Sequence, residues 1–523
     1  MGYIMKSSFR ILSCTLVTVI LFAAVGLAQL ANDYRTNGSG SWSSASIWQR
    51  YNGSSWVNAS AAPNGTHTTT IQSADSVYFD VAVSIVDTLK NQGKMGGVDN
   101  LTITSTGVYQ HDRDAGSLPV ATWADGSTLL ITGSVGSAPS NGRQNFYNVT
   151  FNTPGLTANL NLGWDSITIR GNITVENTGA SRWQMAAPTA NDSSVFSVMG
   201  DIIVTGGSYS SNGTSNANTR VVIHQYGNIV VTGGNLSVSR GSQGSGTGST
   251  RWYLHNGNFS MTNATTQNSN PTNAWFVFDK PGTQTLTLGA GNTLTSLPIV
   301  VATGTTLDMG TSKLRGSGLF TLSAGATLAT AREGGIDSAL ANSGTITLSP
   351  AANFIFNGSV PQVTGVLLPA TVNDLTIQNA AGVTLTQALT IDGVLHLKSG
   401  VFDNTIAFTL GPSGSVSSEG GSLLVPLGVD AANGLPRTFF LDQNHPNPFN
   451  PSTTIRFGLP GASTVRAQVF DVTGRVVATL FNGRMEAGIH ELRFEPERLS
   501  SGVYLIRVQA GASTATRQMV YCK

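Results

Sequence analysis

Cysteine is nearly absent from this chain of 523 residues, which contains only Cys14 and Cys522. Cys14 lies in an apolar stretch near the N-terminus, and Cys522 is the penultimate residue. The long segment between them therefore has no disulfide, no thiolate nucleophile and no zinc site built on cysteine. The sequence also lacks the G-x-S-x-G, H-E-x-x-H and Walker motifs, and we predict no catalytic residue, metal site or cofactor.

Charged residues are scarce too, at 11% of the sequence, against about 25% in typical soluble proteins. The 28 Lys and Arg and the 27 Asp and Glu leave a net charge of +1, which provides no long-range field to attract nucleic acid. Between residues 30 and 429, Lys and Glu occur only at Lys90, Lys94, Glu176, Lys280, Lys313, Glu333, Lys398 and Glu419. Long solvated helices need these residue types, so the chain is predicted to be all-β.

The N-terminus has the pattern of a secretory signal peptide. Lys6 and Arg10 precede the apolar residues 11–27, and small residues at Gly26 and Ala28 suit cleavage after Ala28. A membrane anchor is the alternative, but an anchor needs about 20 apolar residues and a stop-transfer flank. We therefore assign residues 1–28 as a signal peptide and expect the remaining chain to be exported.

Internal repetition indicates the fold of the central region. A glycine followed by a short alternating strand recurs every 27 to 30 residues, at Gly171, Gly200, Gly227 and Gly257. A related unit then recurs every 19 to 21 residues, at Gly304, Gly325 and Gly344. Turns of unequal length suit a parallel solenoid, because loops leave its corners while the strands stay stacked, whereas propeller blades need about 40 residues. We predict a right-handed parallel β-helix over residues 96–430, with residues 29–95 as its N-terminal cap.

The predicted cap contains three tryptophans, Trp42, Trp48 and Trp56. One interpretation is that their rings stack on sugars at a binding surface. The alternative, which we favour, is that the rings fill the interior of a cap over the first strands, since the ends of a solenoid must be covered.

The composition changes after residue 430, where arginine and glutamate return and short strands alternate with glycine and proline turns. This pattern is typical of a small antiparallel Ig-like β-sandwich. We take residues 431–437 as a linker and residues 438–523 as a second domain. Four segments of this domain form an ordered series of motifs, at 444–455, 471–477, 488–490 and 499–504.

Through these motifs the domain resembles the type A C-terminal sorting domain of the type IX secretion system. The residues that match the family pattern are Pro446, Asn447, Pro448, Phe449, Asn450, Pro451, Asp471, Gly474, Arg475, Gly488, Gly502, Tyr504 and the basic C-terminal Lys523. The resemblance implies that the domain delivers a folded cargo from the periplasm to the outer-membrane translocon, where a sorting protease removes the domain. It also implies that the cargo is released or is attached to surface lipopolysaccharide. An Ig-like accessory domain that stays on the protein is the alternative.

Two segments of the repeat region share an R-x-x-x-H pattern, Arg220 to His224 and Arg251 to His255. In extended strands Arg220 and His224 point to one side, while the apolar residues between them face the core. The same alternation places Arg251, Tyr253 and His255 on one side. Stacked turns would then align the two arginines and the two histidines, with the tyrosine between. Such a strip can bind a glycan; an ordinary solvated surface is the alternative.

A second candidate site is the acidic cluster of His111, Asp112 and Asp114. Two carboxylates two residues apart on a strand with a rise of about 3.3 Å per residue approach the spacing of about 5–9 Å used by glycosidases. They also suit a cation or a sugar hydroxyl. A solvated loop is the alternative, because Ala, Gly and Ser follow the cluster and no strand pattern surrounds it.

Taken as a whole, the sequence favours a secreted, surface-displayed and non-catalytic β-solenoid that acts as an adhesin, a glycan-binding rod or an envelope component. A polysaccharide lyase or glycoside hydrolase on the same β-helix is the alternative, and it rests on fold analogy alone. The expected partners are the type IX translocon, its sorting protease, and surface lipopolysaccharide or extracellular glycans, with no nucleic acid.

Overall fold

The computed structural model describes residues 29–188, 193–241, 247–269, 273–425, 436, 438–497 and 499–523. The predicted signal peptide lies outside the described residues, as does the predicted linker apart from Pro436. Within the described ranges, no helix is both long and apolar enough to cross a membrane. The regular structure is nearly all β, as the composition predicts.

A β-solenoid of about 15 turns occupies most of the chain, which confirms the predicted β-helix. Its strands pair in parallel with strands one turn earlier and one turn later, so that Ile202 lies between Ile173 and Ile229. Each turn contains up to three strands, and in chain order we call the surfaces that they form face 1, face 2 and face 3.

The strands of the three faces have the following bounds. Face 1 consists of Val83–Ile85, Leu101–Ile103, Thr122–Trp123, Ile167–Ile169, Ser193–Val198, Arg220–Gln225, Ser249–Leu254, Ala274–Phe278, Ile299–Val301, Phe320–Leu322, Ile346–Leu348, Thr371–Val372, Leu389–Ile391 and Phe408–Leu410. Face 2 consists of Tyr34–Thr36, Thr69–Ile71, Thr88–Asn91, Val108–His111, Thr128–Ile131, Asn148–Asn152, Ile173–Asn177, Ile202–Val204, Ile229–Val231, Phe259–Met261, Gly282–Leu288, Thr305–Asp308, Thr327–Thr330, Asn353–Phe356, Leu375–Gln378, Val394–Asp403 and Ser415–Ser418. Face 3 consists of Gly40–Ser41, Ser76–Tyr78, Lys94–Gly96, Leu160–Asn161, Trp183–Ala186, Ser208–Asn212, Asn235–Ser239, Thr265–Thr266, Gln362–Val363, Val383–Thr384 and Gly421–Leu423, and the end of Val394–Asp403 also pairs there.

Helical structure is limited to short pieces in the described part of the chain. There are two 3-10 turns, Ala45–Ile47 and Val98–Asn100, and one α-helix of five residues, Gly335–Ala339. The α-helix lies in the connection that follows the face-2 strand Thr327–Thr330.

The glycine repeat of the sequence marks the corner between faces 1 and 2. A Cβ atom on Gly227 would lie 2.2 Å from the carbonyl oxygen of Gly200. A Cβ atom on Gly257 would lie 2.0 Å from the carbonyl oxygen of Gly227. Successive turns therefore approach too closely at this corner for any side chain, which is why glycine recurs there.

The polar residue after each of these glycines bonds to the next turn. The Oδ1 atoms of Asn172, Asp201 and Asn228 accept the backbone N–H groups of the corresponding residues one turn later, at 2.8, 2.6 and 3.0 Å. The resulting ladder of side-chain oxygens satisfies backbone donors along the corner. The repeated glycine, followed by Asn or Asp, is therefore explained by the contact between successive turns.

The inside of the solenoid is a continuous hydrophobic core. Alternation along each strand sends every second side chain inward, and Val221, Ile223, Trp252 and Leu254 are fully buried, as predicted. The neighbouring positions on the same strands point outward, and their side chains form the outer surface of face 1.

An antiparallel hairpin covers the N-terminal edge of the solenoid. The first face-2 strand pairs in parallel with Thr69–Ile71 and antiparallel with Trp48–Tyr51, which in turn pairs with Trp56–Asn58. The free edge of the stacked strands is thereby occupied, as exposed edges otherwise pair with other chains. Regular parallel turns thus begin within the segment 29–95 that we assigned to the cap.

Two of the cap tryptophans lie in the interior. Trp42 and Trp48 are buried, and the Trp42 ring stacks on Phe79 with 4.8 Å between centroids. Their indole N–H groups donate to the carbonyl oxygens of Pro63 and Trp42 at 3.0 and 2.9 Å. This burial favours the core interpretation of these two rings over sugar stacking.

The C-terminal region forms a sandwich of two antiparallel sheets, in agreement with the predicted Ig-like fold. One sheet contains Phe440–Leu441, Thr453–Leu459 and Gly488–Phe494; the other contains Ser463–Phe470, Val476–Met485, Gly502–Ala510 and Ser513–Tyr521. Residues such as Phe457, Val469 and Ile506 fill a separate hydrophobic core between the sheets.

Candidate functional site

Face 1 has small outward residues on most turns, and one stretch differs. Three consecutive turns there carry large polar and aromatic side chains, which we call the face-1 strip: Arg220, His224, Tyr226, Arg251, Tyr253, His255, Trp275 and Asp279. On the flanking turns the corresponding residues include Ser197, Val300 and Thr321. Since adjacent strands lie about 4.8 Å apart, the strip crosses only a short length of the rod.

The register of the strip differs from the predicted register by two residues. His224 lies beside Tyr253, and Arg251 lies beside Val222. The predicted alignment of Arg220 with Arg251 is therefore wrong. A shift of two residues preserves the inward and outward alternation, so the sequence pattern could not distinguish the two registers.

The two histidines nevertheless meet across the turns. Nδ1 of His224 lies 2.8 Å from Nε2 of His255, and Nδ1 of His255 lies 3.0 Å from Oδ2 of Asp279. We call this series of contacts the His–His–Asp chain. When Asp279 accepts the Nδ1–H of His255, Nε2 of His255 is an acceptor and His224 must donate to it. Nε2 of His224 is then the free acceptor, and none of the described residues bonds to it.

The rings of the strip are nearly parallel. His224 and Tyr253 have centroids 5.9 Å apart and planes inclined by 16°. His224 and His255 are 5.1 Å apart and inclined by 14°, and Tyr226 lies 4.9 Å from His255 at a larger tilt. Because a hydrogen bond between ring nitrogens lies in the planes of the rings, His224 and His255 meet edge to edge.

Partial burial alters the charges of the strip. Desolvation, and then repulsion from His255, lower the pKa of His224, so the neutral imidazole is favoured. Desolvation raises the pKa of Asp279, although its contact with His255 opposes that change. Desolvation also lowers the pKa of Arg251, which stays charged because a guanidinium has so high an ordinary pKa.

The two arginines of the strip are held differently. Nη1 of Arg251 donates to the carbonyl oxygens of Thr250 and Asn273 at 3.2 and 3.0 Å. Its Cζ atom lies 5.4 Å from the ring centroid of Trp275. Arg220 is exposed, and no residue in the described ranges hydrogen-bonds to its guanidinium. One guanidinium is therefore positioned and the other is free to adjust to a ligand.

Sequence reasoning missed Tyr226, Trp275 and Asp279. Tyr226 follows His224 by two residues, so alternation alone would have placed it on the same side. Trp275 and Asp279 belong to a turn without the R-x-x-x-H pattern. Aligning residues 275–279 with the five residues 251–255 of the previous turn would have revealed both.

The acidic cluster is engaged in contacts within the protein. The strand Val108–His111 ends before both carboxylates, so the expected shared strand face does not form. His111 is buried, with Nε2 2.8 Å from the carbonyl oxygen of Ala115. Asp112 lies 3.0 Å from Nζ of Lys90, and it also accepts hydrogen bonds from Gln92 and Thr132.

Asp114 is also held by hydrogen bonds within the protein. Its Oδ1 atom accepts the backbone N–H groups of Val135, Gly136 and Ser137 at 2.9, 3.0 and 2.9 Å. These hydrogen bonds lower the pKa of Asp114. The contacts of both carboxylates favour the loop interpretation of the cluster over a sugar or cation site.

The opening motif of the C-terminal sandwich packs against its last strand. Oδ1 of Asn447 accepts the backbone N–H of Val520 at 2.7 Å. Phe449 donates its backbone N–H to Val520 and accepts that of Cys522, and its buried ring lies 5.0 Å from that of Tyr521. The two ends of the domain are joined in this way.

The proline-rich segment is fixed by its neighbours. The carbonyl oxygen of Pro446 accepts hydrogen bonds from the side chains of Asn444 and Thr453 at 3.0 and 2.8 Å. The remaining matched residues of the segment are Pro448, Asn450 and Pro451. The segment leads directly into the strand Thr453–Leu459.

The central motif of the sandwich is a tight turn closed by Asp471. Its Oδ1 atom accepts the Thr473 hydroxyl at 2.6 Å and the backbone N–H groups of Thr473 and Arg475. The side-chain hydrogen bond from Thr473 is the main reason why the pKa of Asp471 falls to about 2. Gly474 has a φ of +83°, a backbone conformation that favours glycine.

The other matched residues lie at strand ends. Gly488 and Gly502 begin the strands Gly488–Phe494 and Gly502–Ala510. The Tyr504 hydroxyl donates to the carbonyl oxygen of Ser500 at 2.8 Å. Lys523 follows the last strand and is exposed.

Together the fold and these motifs define an exported β-solenoid with a C-terminal sorting domain. Residues 444–521 match the family described as "Secretion system C-terminal sorting domain", which confirms the resemblance drawn from the sequence. The protein is exported to the cell surface or the exterior, and this domain interacts with the type IX secretion machinery. No curated protein and no solved structure matches the chain.

Proposed function

We propose that the exported solenoid is a non-catalytic glycan-binding rod and that the face-1 strip is its binding surface. The observation that supports this proposal is the concentration of Arg, His, Tyr and Trp on three adjacent turns of a face whose outward residues on most other turns are small, such as Thr321. An adhesin or an envelope component would use the same surface. Removal of the sorting domain and attachment to lipopolysaccharide belong to this proposal too.

The chemistry of the strip suits sugars. Guanidinium groups donate several hydrogen bonds in a fixed geometry, and phenol and imidazole edges supply further donors and acceptors. These groups stand on paired strands, so little ordering is required when a ligand binds. The face is open along the rod, which lets a linear polymer pass across it.

The carboxylates of the solenoid do not favour catalysis. Glycoside hydrolases use two carboxyl groups on either side of the scissile bond, and Asp279 is the one carboxylate of the strip. Asp112 and Asp114 are occupied by contacts within the protein. A polysaccharide lyase or hydrolase therefore remains the alternative without a specific pair of residues to support it.

The test is retention of the purified exported protein on a panel of immobilised acidic and neutral polysaccharides. Replacing both strip arginines, Arg220→Ala with Arg251→Ala, is expected to weaken binding at least about tenfold, the effect of losing about 1.4 kcal/mol of charge-assisted contacts. Thermal stability should change little, because both side chains point outward.

The matched control is Arg315→Ala with Arg332→Ala. Arg315 and Arg332 each donate to one backbone carbonyl, that of Ala290 and that of Thr311, and their removal changes the net charge by the same amount as the strip variant. Equal loss of binding in the two double variants would refute the strip as the binding surface. New reducing ends or ultraviolet-absorbing unsaturated ends in the incubated polysaccharide would refute the non-catalytic interpretation.

A further inference from the structure

We propose that the face-1 strip selects anionic glycans, and that it binds them more tightly when the His–His–Asp chain takes up a proton. This inference rests on the proposed function, since it names the ligand class and the regulation of the same site. Its basis is the contact geometry of His224, His255 and Asp279 on the turns that also carry the two arginines.

The chain can accept one proton without losing its contacts. The 2.8 Å separation of Nδ1 of His224 and Nε2 of His255 is a hydrogen bond that holds a single proton. If both rings were fully protonated, two N–H groups would point at each other and the contact would break. The next proton therefore goes to the free Nε2 of His224, and the charge is shared along a chain that ends at Asp279.

Proton uptake reverses the hydrogen-bonding role of Nε2 of His224. Before the proton is taken up, Nε2 of His224 is an acceptor; afterwards it is a donor. A sugar hydroxyl bonds to either form because it both donates and accepts. A carboxylate or sulfate group only accepts, so it bonds only to the protonated form. The change in role therefore discriminates between anionic and neutral glycans.

The charges around the chain set when it takes up the proton. Arg220 and Arg251 lie four residues before His224 and His255, about 13 Å away along an extended chain, so they oppose the added charge only weakly, whereas Asp279 favours it. Tyr226 and Tyr253 are the other titratable groups of the strip. Lys280 follows Asp279 in the chain, and Asp201 lies at the corner of the preceding turn.

The same surroundings define a pH window. Burial lowers the pKa of His224 below the ordinary imidazole value of about 6.5. His224 is therefore uncharged at about pH 7.5 and takes up its proton below the ordinary imidazole value. The arginines keep their charge throughout, so anions are bound in both states and more tightly in the acidic one.

The test compares dextran with dextran sulfate, which share a backbone and differ in a charge that does not titrate in this range. Equilibrium binding of the full exported protein is measured at about pH 7.5 and about pH 5, on either side of the ordinary imidazole pKa. The expected result is an increase in affinity for dextran sulfate of about tenfold at the lower pH, the effect of one new charge-assisted contact. Affinity for dextran should change by less than about twofold.

Two variants distinguish protonation of the His–His–Asp chain from a general gain of positive charge on the protein at low pH. His224→Gln removes the imidazole nitrogen that takes up the proton and should abolish the dependence on pH. His396→Gln is the matched control, because His396 also faces a carboxylate, Glu419 at 3.7 Å, on another part of the solenoid. This control should keep the full tenfold change.

Asp279→Asn provides an independent measurement. Removing this carboxylate should strengthen binding of dextran sulfate at about pH 7.5 and shift the change in affinity to lower pH, because the proton loses its counter-charge. A variant that binds like the wild type at both pH values would contradict the proposed role of Asp279.

The outcomes distinguish this inference from the function on which it rests. Binding that needs the two arginines but does not change with pH, or a change that survives in His224→Gln, would overturn the proton-dependent selection alone. Absence of binding to either polymer and to every polysaccharide of the panel, at both pH values, would overturn the proposed function and this inference together.

Discussion

In the solenoid, a side chain meets residues of its own turn and of the two adjacent turns, whereas in the C-terminal sandwich the two ends of the domain are in contact. His224, for example, lies between Ser197 and Tyr253 of neighbouring turns. Asn447 instead bonds to Val520 in the last strand. A solenoid can therefore change a few turns without disturbing the rest, while a small sandwich depends on all its strands.

This difference explains how each region carries its function. The sandwich has a fixed set of turn and packing residues, such as Asp471 and Phe449, and these form motifs that are specific to a family. In the solenoid, the residues that recur are those that stacking of the turns requires, a glycine followed by Asn or Asp at one corner. Its distinctive residues appear on three turns, and the R-x-x-x-H pattern among them occurs on only two of these.

The largest effect is expected when the sandwich is removed from the solenoid. Deleting residues 438–523 should leave the solenoid folded but retain it in the periplasm, because the contact with the type IX machinery is lost. The measurement is the surface-exposed fraction of the protein in intact cells, judged by its access to added protease. The full chain with Arg315→Ala and Arg332→Ala is the control. Normal surface display after the deletion would contradict the division of roles.

An intermediate effect is expected from the stacking of turns. Gly227→Ala places a methyl group against the carbonyl oxygen of Gly200 and should destabilise the solenoid by about 1–3 kcal/mol, the usual cost of overpacking. Gly291→Ala is the control, since a Cβ atom there meets nothing within 4 Å. Thermal unfolding of the full chain tests both. Equal stability of the two variants would indicate that the turns do not stack as described.

The smallest expected effect concerns an aspartate that holds backbone N–H groups, an arrangement found in both regions. Asp471 in the sandwich and Asp114 in the solenoid each accept several hydrogen bonds at one carboxylate oxygen. Because the pKa of Asp471 is about 2 in the folded protein, against about 3.9 unfolded, its stabilising effect is complete above the unfolded value and is lost as the pH falls through about 2.

Asp471→Asn should therefore lower the unfolding temperature of the sandwich slightly at neutral pH. The difference from the wild type should shrink as the pH falls from about 4 to about 2. Unfolding temperatures measured across this range test the prediction. A difference that stays constant with pH would show that the charge of Asp471 does not hold the turn.

Much of the fold could be predicted from the sequence, because its determinants are local or periodic. The spacing of Gly171, Gly200, Gly227 and Gly257 reflects one contact repeated every turn, and the alternation around Val221 and Ile223 gives the inward side directly. The start of the parallel turns was harder to place. The strand Thr69–Ile71 is only three residues long, too short for a clear period.

The candidate site could be predicted only in part. Alternation placed Arg220, Arg251 and Tyr253 on the outer surface, but the register between turns depends on how large inward residues such as Trp252 pack. A slip of two residues leaves the alternation intact, so the contact of His224 with His255 and the participation of Asp279 needed the structure.

The most direct measurement of the proposed binding surface is chemical footprinting of arginines in the presence of a glycan. Phenylglyoxal labelling of the exported protein, followed by peptide mass spectrometry, reports each guanidinium separately. With dextran sulfate bound, labelling of Arg220 and Arg251 should fall several-fold, while labelling of Arg315 and Arg332 should stay the same. Protection that is absent at Arg220 and Arg251, or equal at all four positions, would contradict the assignment of the face-1 strip as the glycan-binding surface.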